Sequence, residues 1–269
     1  MSDSDLLGVK DGPIFTITLN RPDKRNAIPF ESLVTLCEMV EELAYDAEVR
    51  VIILKGEGKV FSSGVDFNSL GALVGRFMGE SAGGGMSIRS DISKYQSYLT
   101  RLESIEIPII CAMHGAVYGM AWELALACDI RLMSDDCKWA FKELKFGLIC
   151  DLGGQARLLN HTSPARVMEI LATGRTYTAR QALDWGLVNH LYQADQLMQE
   201  AESMARDIIR NAPIAVGGLK RITKKGQGMD LNSLLDMEGN LQSILLRSED
   251  FQEGIAALME QRDANWKRK

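Results

Sequence analysis

Histidine is scarce in this chain of 269 residues: His114, His161 and His190 are the whole set, and no metal-ligand spacing relates them. No metal site is expected. Cysteine is also sparse. The five residues, at 37, 111, 128, 137 and 150, are odd in number and lack a C-x-x-C pair, which excludes an obvious disulfide or zinc framework. Most stand in apolar surroundings, so buried reduced thiols are expected. None has a histidine partner in view, which removes a thiol-nucleophile reading. His114 ends a buried strand and reads as a hydrogen-bonded core residue, while His161 and His190 fall in loops.

An excess of basic charge is missing too. The net charge of −6 argues against a nucleic-acid footprint across the surface, and no nucleic-acid partner is expected. The opening "MSDSDLLGVKDG" is acidic and has no signal-peptide core. With reduced thiols, this predicts a cytoplasmic setting. Residues 107–128 form a long apolar run, but Pro108, His114, Gly115, Gly119 and Glu123 interrupt it and charges crowd both sides. The run reads as two short buried elements around a tight turn, not as a membrane span. Its lone acid, Glu123, is costly there, because an unpaired buried carboxylate either loses stability or shifts its pKa until neutral.

What is present reads as α/β. "PIFTITLN" alternates Phe15, Ile17 and Leu19 with threonines, the period of a strand. Residues 30–45 carry helical spacing, and "VRVIILKG" at 49–56 is a continuous β-branched run suited to a strand buried on both faces. Ile107 to Met113 and "IRLMS" supply further strands. The glycine-rich residues 71–87 predict a mobile loop that lines or covers a pocket. From about residue 195 the pattern is helical to the end, with a helix start at Ser248.

Two strand-turn-helix junctions repeat one design: Ser63-Gly64-Val65-Asp66 and Gly119-Met120-Ala121-Trp122-Glu123. A glycine turn at a helix start leaves backbone N–H groups without internal partners, and two such groups converging make an oxyanion hole. Taken singly, each junction reads equally as a plain helix entry, with Asp66 as the cap of the helix that follows.

"ITLNRPDKRNAI", "FSSGVDF", "IPIICAMHGAVYGMAWELALACDIR", "FKELKFGLICDLGGQARL" and "TGRTYTARQALDWGLVNHL" together resemble the crotonase (enoyl-CoA hydratase/isomerase) superfamily over roughly residues 8–266. The resemblance implies a crotonase-like ββα spiral over 1–195 and a C-terminal helical trimerisation region over 196–269, one functional unit. It implies a homotrimer or dimer of trimers acting on an unsaturated acyl-CoA thioester, with no cofactor beyond the CoA of the substrate. The thioester oxygen would lie between the N–H groups of Val65 and Met120; methionine in place of the family's frequent glycine keeps the donor. CoA contacts fall to Lys24, Arg25, Ala27, Ser63 and Asp66, and the tail "WKRK" would reach a neighbouring subunit's CoA phosphate. Glu123 and Glu143 match the hydratases' two catalytic glutamates.

Asp151, eight residues past Glu143, stands where hydratases usually have a small residue. It resembles the Δ3,5-Δ2,4-dienoyl-CoA isomerases, in which the Glu143-like and Asp151-like acids move a proton between the ends of a diene. Those enzymes tend to have aspartate at the place of Glu123. The resemblance thus implies enoyl-CoA hydration first and dienoyl-CoA isomerisation as the alternative, ahead of a C–C or thioester hydrolase or a non-catalytic binding protein. Trp122 would either narrow the acyl pocket or pack away from it. Acyl length, pathway and stereochemistry are not encoded in these motifs.

Overall fold

The strand periods above become one sheet packed on both faces in the computed structural model, which describes residues 5–78 and 84–268. In chain order, β1 (Leu6–Asp11) and β2 (Ile14–Leu19) lead to α1 (Phe30–Leu43), β3 (Val51–Gly56), α2 (Phe67–Met78) and α3 (Gly84–Ser104). Then come β4 (Ile109–Met113), β5 (Ala116–Tyr118), α4 (Met120–Ala127), β6 (Ile130–Ser134) and β7 (Lys138–Ala140). The remainder is α5 (Gly154–Leu158), α6 (Pro164–Thr173), β8 (Tyr177–Thr178), α7 (Ala179–Asp184), β9 (His190–Tyr192), α8 (Leu197–Ile209), α9 (Pro213–Gly226), α10 (Leu231–Leu245) and α11 (Glu249–Glu260).

The main sheet runs β1-β2-β3-β4-β6-β9, antiparallel at β1–β2 and parallel from there on. Strand alternation divides its side chains between two cores. Ile52, Leu54, Ile109, Cys111 and Met113 face the large core with α1, α3 and α4. Val51, Ile53, Ile110, Ala112 and Leu132 meet Leu197, Ala201 and Ala205 of α8 on the other face. This is why the β3 sequence shows no polar alternation. A second sheet, β5-β7-β8, stands beside the first. Single bridges tie the chain leaving β3 to its neighbours: Ser62 with Val117 of β5, and Val65 with Ile28 just before α1.

Two expectations need correction. The loop predicted over 71–87 is helical where it is described: 71–78 complete α2 and 84–87 begin α3. Residues 79–83 of that stretch lie outside the described residues. Gly71 and Gly75 each cost a helix about 1 kcal/mol, yet both stand over open space, and Leu70 and Leu73 of the same helix pack on the core. His190 lies in β9, not in a loop.

The C-terminal helices form as the pattern predicts as far as Glu260, whereas 261–268, expected to be helical, are not; Ser248 caps α11 by accepting from Phe251 N–H at 3.0 Å. The tail folds onto its own chain. Trp266 Nε1 donates to Arg210 O at 3.0 Å and Arg268 Nη1 to Asp46 O at 3.0 Å. All five cysteines are free and buried. Among the described residues no helix is long and apolar enough to cross a membrane, and no group of three or more His, Cys, Asp and Glu is placed to hold a metal ion.

Candidate active site

The two glycine junctions meet. Gly64 has φ +94°, and a Cβ on it would stand 2.5 Å from Tyr118 O and 3.6 Å from Met120 N. Only glycine combines that backbone with that approach. Gly64 N–H donates to Ser62 Oγ at 3.1 Å, and Ser62 Oγ donates to Asn26 O at 2.7 Å, which fixes the first turn. Gly119 N–H donates to Ala140 O at 3.0 Å, so the end of β7 holds the second. Among the described residues neither Val65 N–H nor Met120 N–H, the latter at the first position of α4, donates a hydrogen bond.

Both residues line a cavity of about 570 Å³. Glu123, Glu143 and Asp151 line it as well. Its remaining wall is mainly apolar, with Leu70 and Leu73 from α2, Ile92 and Tyr95 from α3, and Leu148 and Ile149 from the loop before α5. The sequence-predicted acids and N–H groups therefore share one space.

The three carboxyls differ in burial. Glu123, on the first turn of α4, is 2% exposed. Its Oε1 accepts from Leu152 N–H and Gly154 N–H, both at 2.9 Å. Burial nevertheless pushes its pKa up to about 8; the two N–H groups oppose that rise, and the nearby Glu143 and Asp151 charges reinforce it. Glu123 is thus largely protonated at neutral pH. The N–H groups that hold it belong to the entry of α5 and not to α4.

Glu143 sits on the 3-10 turn Glu143–Phe146 and leans against the second junction. Its Oε1 is 2.5 Å from where a Cβ of Gly119 would be, and its buried Oε2 has no hydrogen-bond partner. Burial raises its pKa, against a hydrogen bond from the Cys150 thiol. Asp151 is the most exposed of the three, but desolvation at the cavity wall still raises its carboxyl pKa. Trp122 does not reach the cavity. It is fully buried and packs edge-on to Trp139 at 5.0 Å, within an aromatic cluster that continues to Tyr177 and Trp185.

The residues expected at CoA gather beside the first junction. Ser63 N–H donates to Arg25 O at 2.9 Å and Ile28 N–H to Gly64 O at 2.8 Å, so the 24–28 segment runs along the Val65 turn. Lys24 and Arg25 are exposed there, while Ala27 O accepts from Arg21 Nη1 at 2.7 Å. The Asp66 carboxylate is committed within the chain: Oδ1 caps Asn68 N–H at 2.9 Å and Oδ2 pairs with Arg21 at 2.9 Å. Its side chain has the capping role, and its backbone is engaged too: the N–H donates to Ile28 O and the carbonyl accepts from Leu70 N–H, both at 2.9 Å.

His114 bonds Gly58 O at 2.9 Å through Nε2 but is only half-buried, so it is hydrogen-bonded without being the core residue expected. Sequence reasoning missed Asn26. Its buried side chain accepts from Arg21 N–H at 2.8 Å and donates to Glu57 O and Val60 O at 2.8 and 2.9 Å. Its φ of 51° is a left-handed conformation that asparagine tolerates, the one local signal available.

Residues 10–269 match the family described as Enoyl-CoA hydratase/isomerase. The chain is 36% identical over 264 residues to the carnitinyl-CoA dehydratase of Salmonella arizonae, covering 96% of each. It is 31% identical over 255 residues to the peroxisomal Delta(3,5)-Delta(2,4)-dienoyl-CoA isomerase of Arabidopsis thaliana, covering 94% of this chain and 92% of that one. The solved enoyl-CoA hydratase of Bacillus anthracis shares the fold with a TM-score of 0.89 at 27% identity, over 99% of this chain and 100% of that one. The chain belongs to the enoyl-CoA hydratase/isomerase, or crotonase, family and is an enzyme of that family.

Proposed function

We propose that the cavity adds water to, or removes it from, the α,β-bond of an unsaturated acyl-CoA. The observation that carries this reading is the convergence of Glu123, Glu143, Val65 N–H and Met120 N–H on one cavity. The two N–H groups form an oxyanion hole for the thioester oxygen as the enolate develops. Glu143 adjoins the Met120 turn, so it exchanges the proton at the α-carbon. Glu123, protonated at rest, gives a proton to the departing hydroxyl in the dehydration direction; in the hydration direction its ionised form takes a proton from water while protonated Glu143 delivers one to the α-carbon. The chemistry draws on these groups alone, with coenzyme A arriving as part of the substrate.

Exposed Lys24 and Arg25 take the nucleotide phosphates, and Ala27, Ser63 and Asp66 flank them at the CoA end of the site. Exposed apolar residues of the C-terminal helices, among them Leu231, Leu235, Ile244, Leu258 and Met259, support assembly as a trimer or dimer of trimers.

One observation favours a second reading. Asp151 lines the same cavity, and with Glu143 it forms a pair able to carry a proton between the two ends of a 3,5-diene. The relation to the Arabidopsis isomerase agrees with that possibility. Asp151→Asn decides between them when crotonyl-CoA, longer 2-enoyl-CoAs and a 3,5-dienoyl-CoA are followed by their conjugated absorbance. Hydration survives this change, whereas diene migration falls by about 10²–10⁴-fold. A wild-type enzyme that turns over the diene and hydrates none of the enoyl-CoAs overturns the first reading in favour of the second.

A further inference from the structure

The donors that hold Glu123 are themselves held from behind. Leu152 N–H and Gly154 N–H bind Glu123 Oε1, and the carbonyl of the same Leu152 accepts from Arg157 Nη1 at 2.9 Å. Arg157 is 9% exposed, and its other nitrogens fork onto Glu103 of α3. Nε reaches Oε1 at 3.1 Å and Nη2 reaches Oε2 at 2.8 Å, a bidentate pair that fixes the plane of the guanidinium. The guanidinium lies against Gly153, where any Cβ would overlap Nη1. Arg157 N–H also donates to Gly153 O at 2.9 Å.

Behind the turn lies a second cavity of about 740 Å³, bounded by Leu152, Gly153 and Arg157 among others. Helix α5 has only five residues and cannot brace its own entry. Gln96 holds the adjacent Asp151 carbonyl at 2.6 Å, and Arg157 is the charged group behind Leu152.

We infer that Arg157, anchored by Glu103, is a positioning residue for Glu123: it keeps the Leu152–Gly154 turn aimed at Glu123 Oε1 and thereby sets which protonation state that carboxyl holds. Its catalytic weight rests on the proton-transfer role proposed above for Glu123. The titratable groups around Glu123 are Glu143, Asp151 and Cys150. The two acids disfavour its ionised form, and burial keeps the Cys150 thiol neutral. The turn's two N–H groups are the stabilising contribution to the carboxylate. Loosening them moves the Glu123 titration upward.

The test reads Glu123 directly. In protein labelled with carbon-13 glutamate, an infrared pH titration follows the protonated carboxyl band that Glu123→Gln removes. Arg157→Gln raises the midpoint by about one pH unit, and the milder Glu103→Gln raises it less. Arg157→Lys keeps the positive charge without the fork and shifts with the glutamine variant. The corresponding limb of the kcat/KM profile moves by the same amount.

An unmoved midpoint in Arg157→Gln and Glu103→Gln overturns the inference. A wild-type midpoint in Arg157→Lys also overturns it, by showing that charge acts through space without the clamp. A shifted midpoint with an unshifted activity limb upholds the clamp and instead removes Glu123 from proton transfer.

Discussion

Glu143→Gln lowers kcat by about 10²–10⁴-fold while the fold remains intact. The amide keeps the size of the carboxyl but cannot exchange a proton, and Glu143 is the carboxyl that lies against Gly119 at the Met120 turn. Glu143 Oε2 is buried without a partner, so the native site carries an unsatisfied acceptor where a reacting group would lie. The neutral amide costs less to bury than a carboxylate, and the thermal midpoint of the variant does not fall. Because both proposed readings pass a proton through Glu143, both activities are expected to be lost together. Asp151→Asn separates them. Steady-state rates on both substrate types, with the thermal midpoint as the control for folding, check the expectation.

Met120→Pro lowers kcat by about 10²–10³-fold. The proposed hole consists of two backbone donors, so side-chain replacement alone leaves it intact. Proline is the substitution that removes an N–H. Position 120 is the first residue of α4, where proline is tolerated because that N–H has no helical acceptor. The bonds that build the turn, from Trp122 N–H and Glu123 N–H to Gly119 O, remain available. Met120→Leu keeps both the donor and most of the buried volume, and its rate stays within a few-fold of wild type. Equal losses in the proline and leucine variants would mean that the buried side chain matters and the N–H does not.

The site was more legible in the sequence than its supports. Glycine before Val65 and before Met120 marks a local backbone requirement, and the spacing of Glu123, Glu143 and Asp151 follows the motifs of the family. The parallel strand β3 was equally plain, since burial on both faces leaves an unbroken apolar run. Strand β1 left no such mark. It is an edge strand whose residues after Leu6 are exposed, so no alternating pattern was selected. Helix α2 was hidden by Gly71 and Gly75, which face open space, where helix propensity is overridden by packing on the opposite side. Arg157 acts on Glu103 across 54 residues of chain, and Asn26 reaches Glu57 and Val60. Such polar contacts exist only once the chain has folded, and no local spacing announces them.

The central claim is that one cavity stabilises a thioester enolate and moves a proton at its α-carbon. Incubation with crotonyl-CoA and longer enoyl-CoAs in deuterated water, with mass and NMR analysis of the product, tests it most directly. The account predicts hydrated product carrying one deuteron at C2, at a rate that Glu143→Gln abolishes. Product without deuterium at C2, or hydration that persists unchanged in Glu143→Gln, contradicts it.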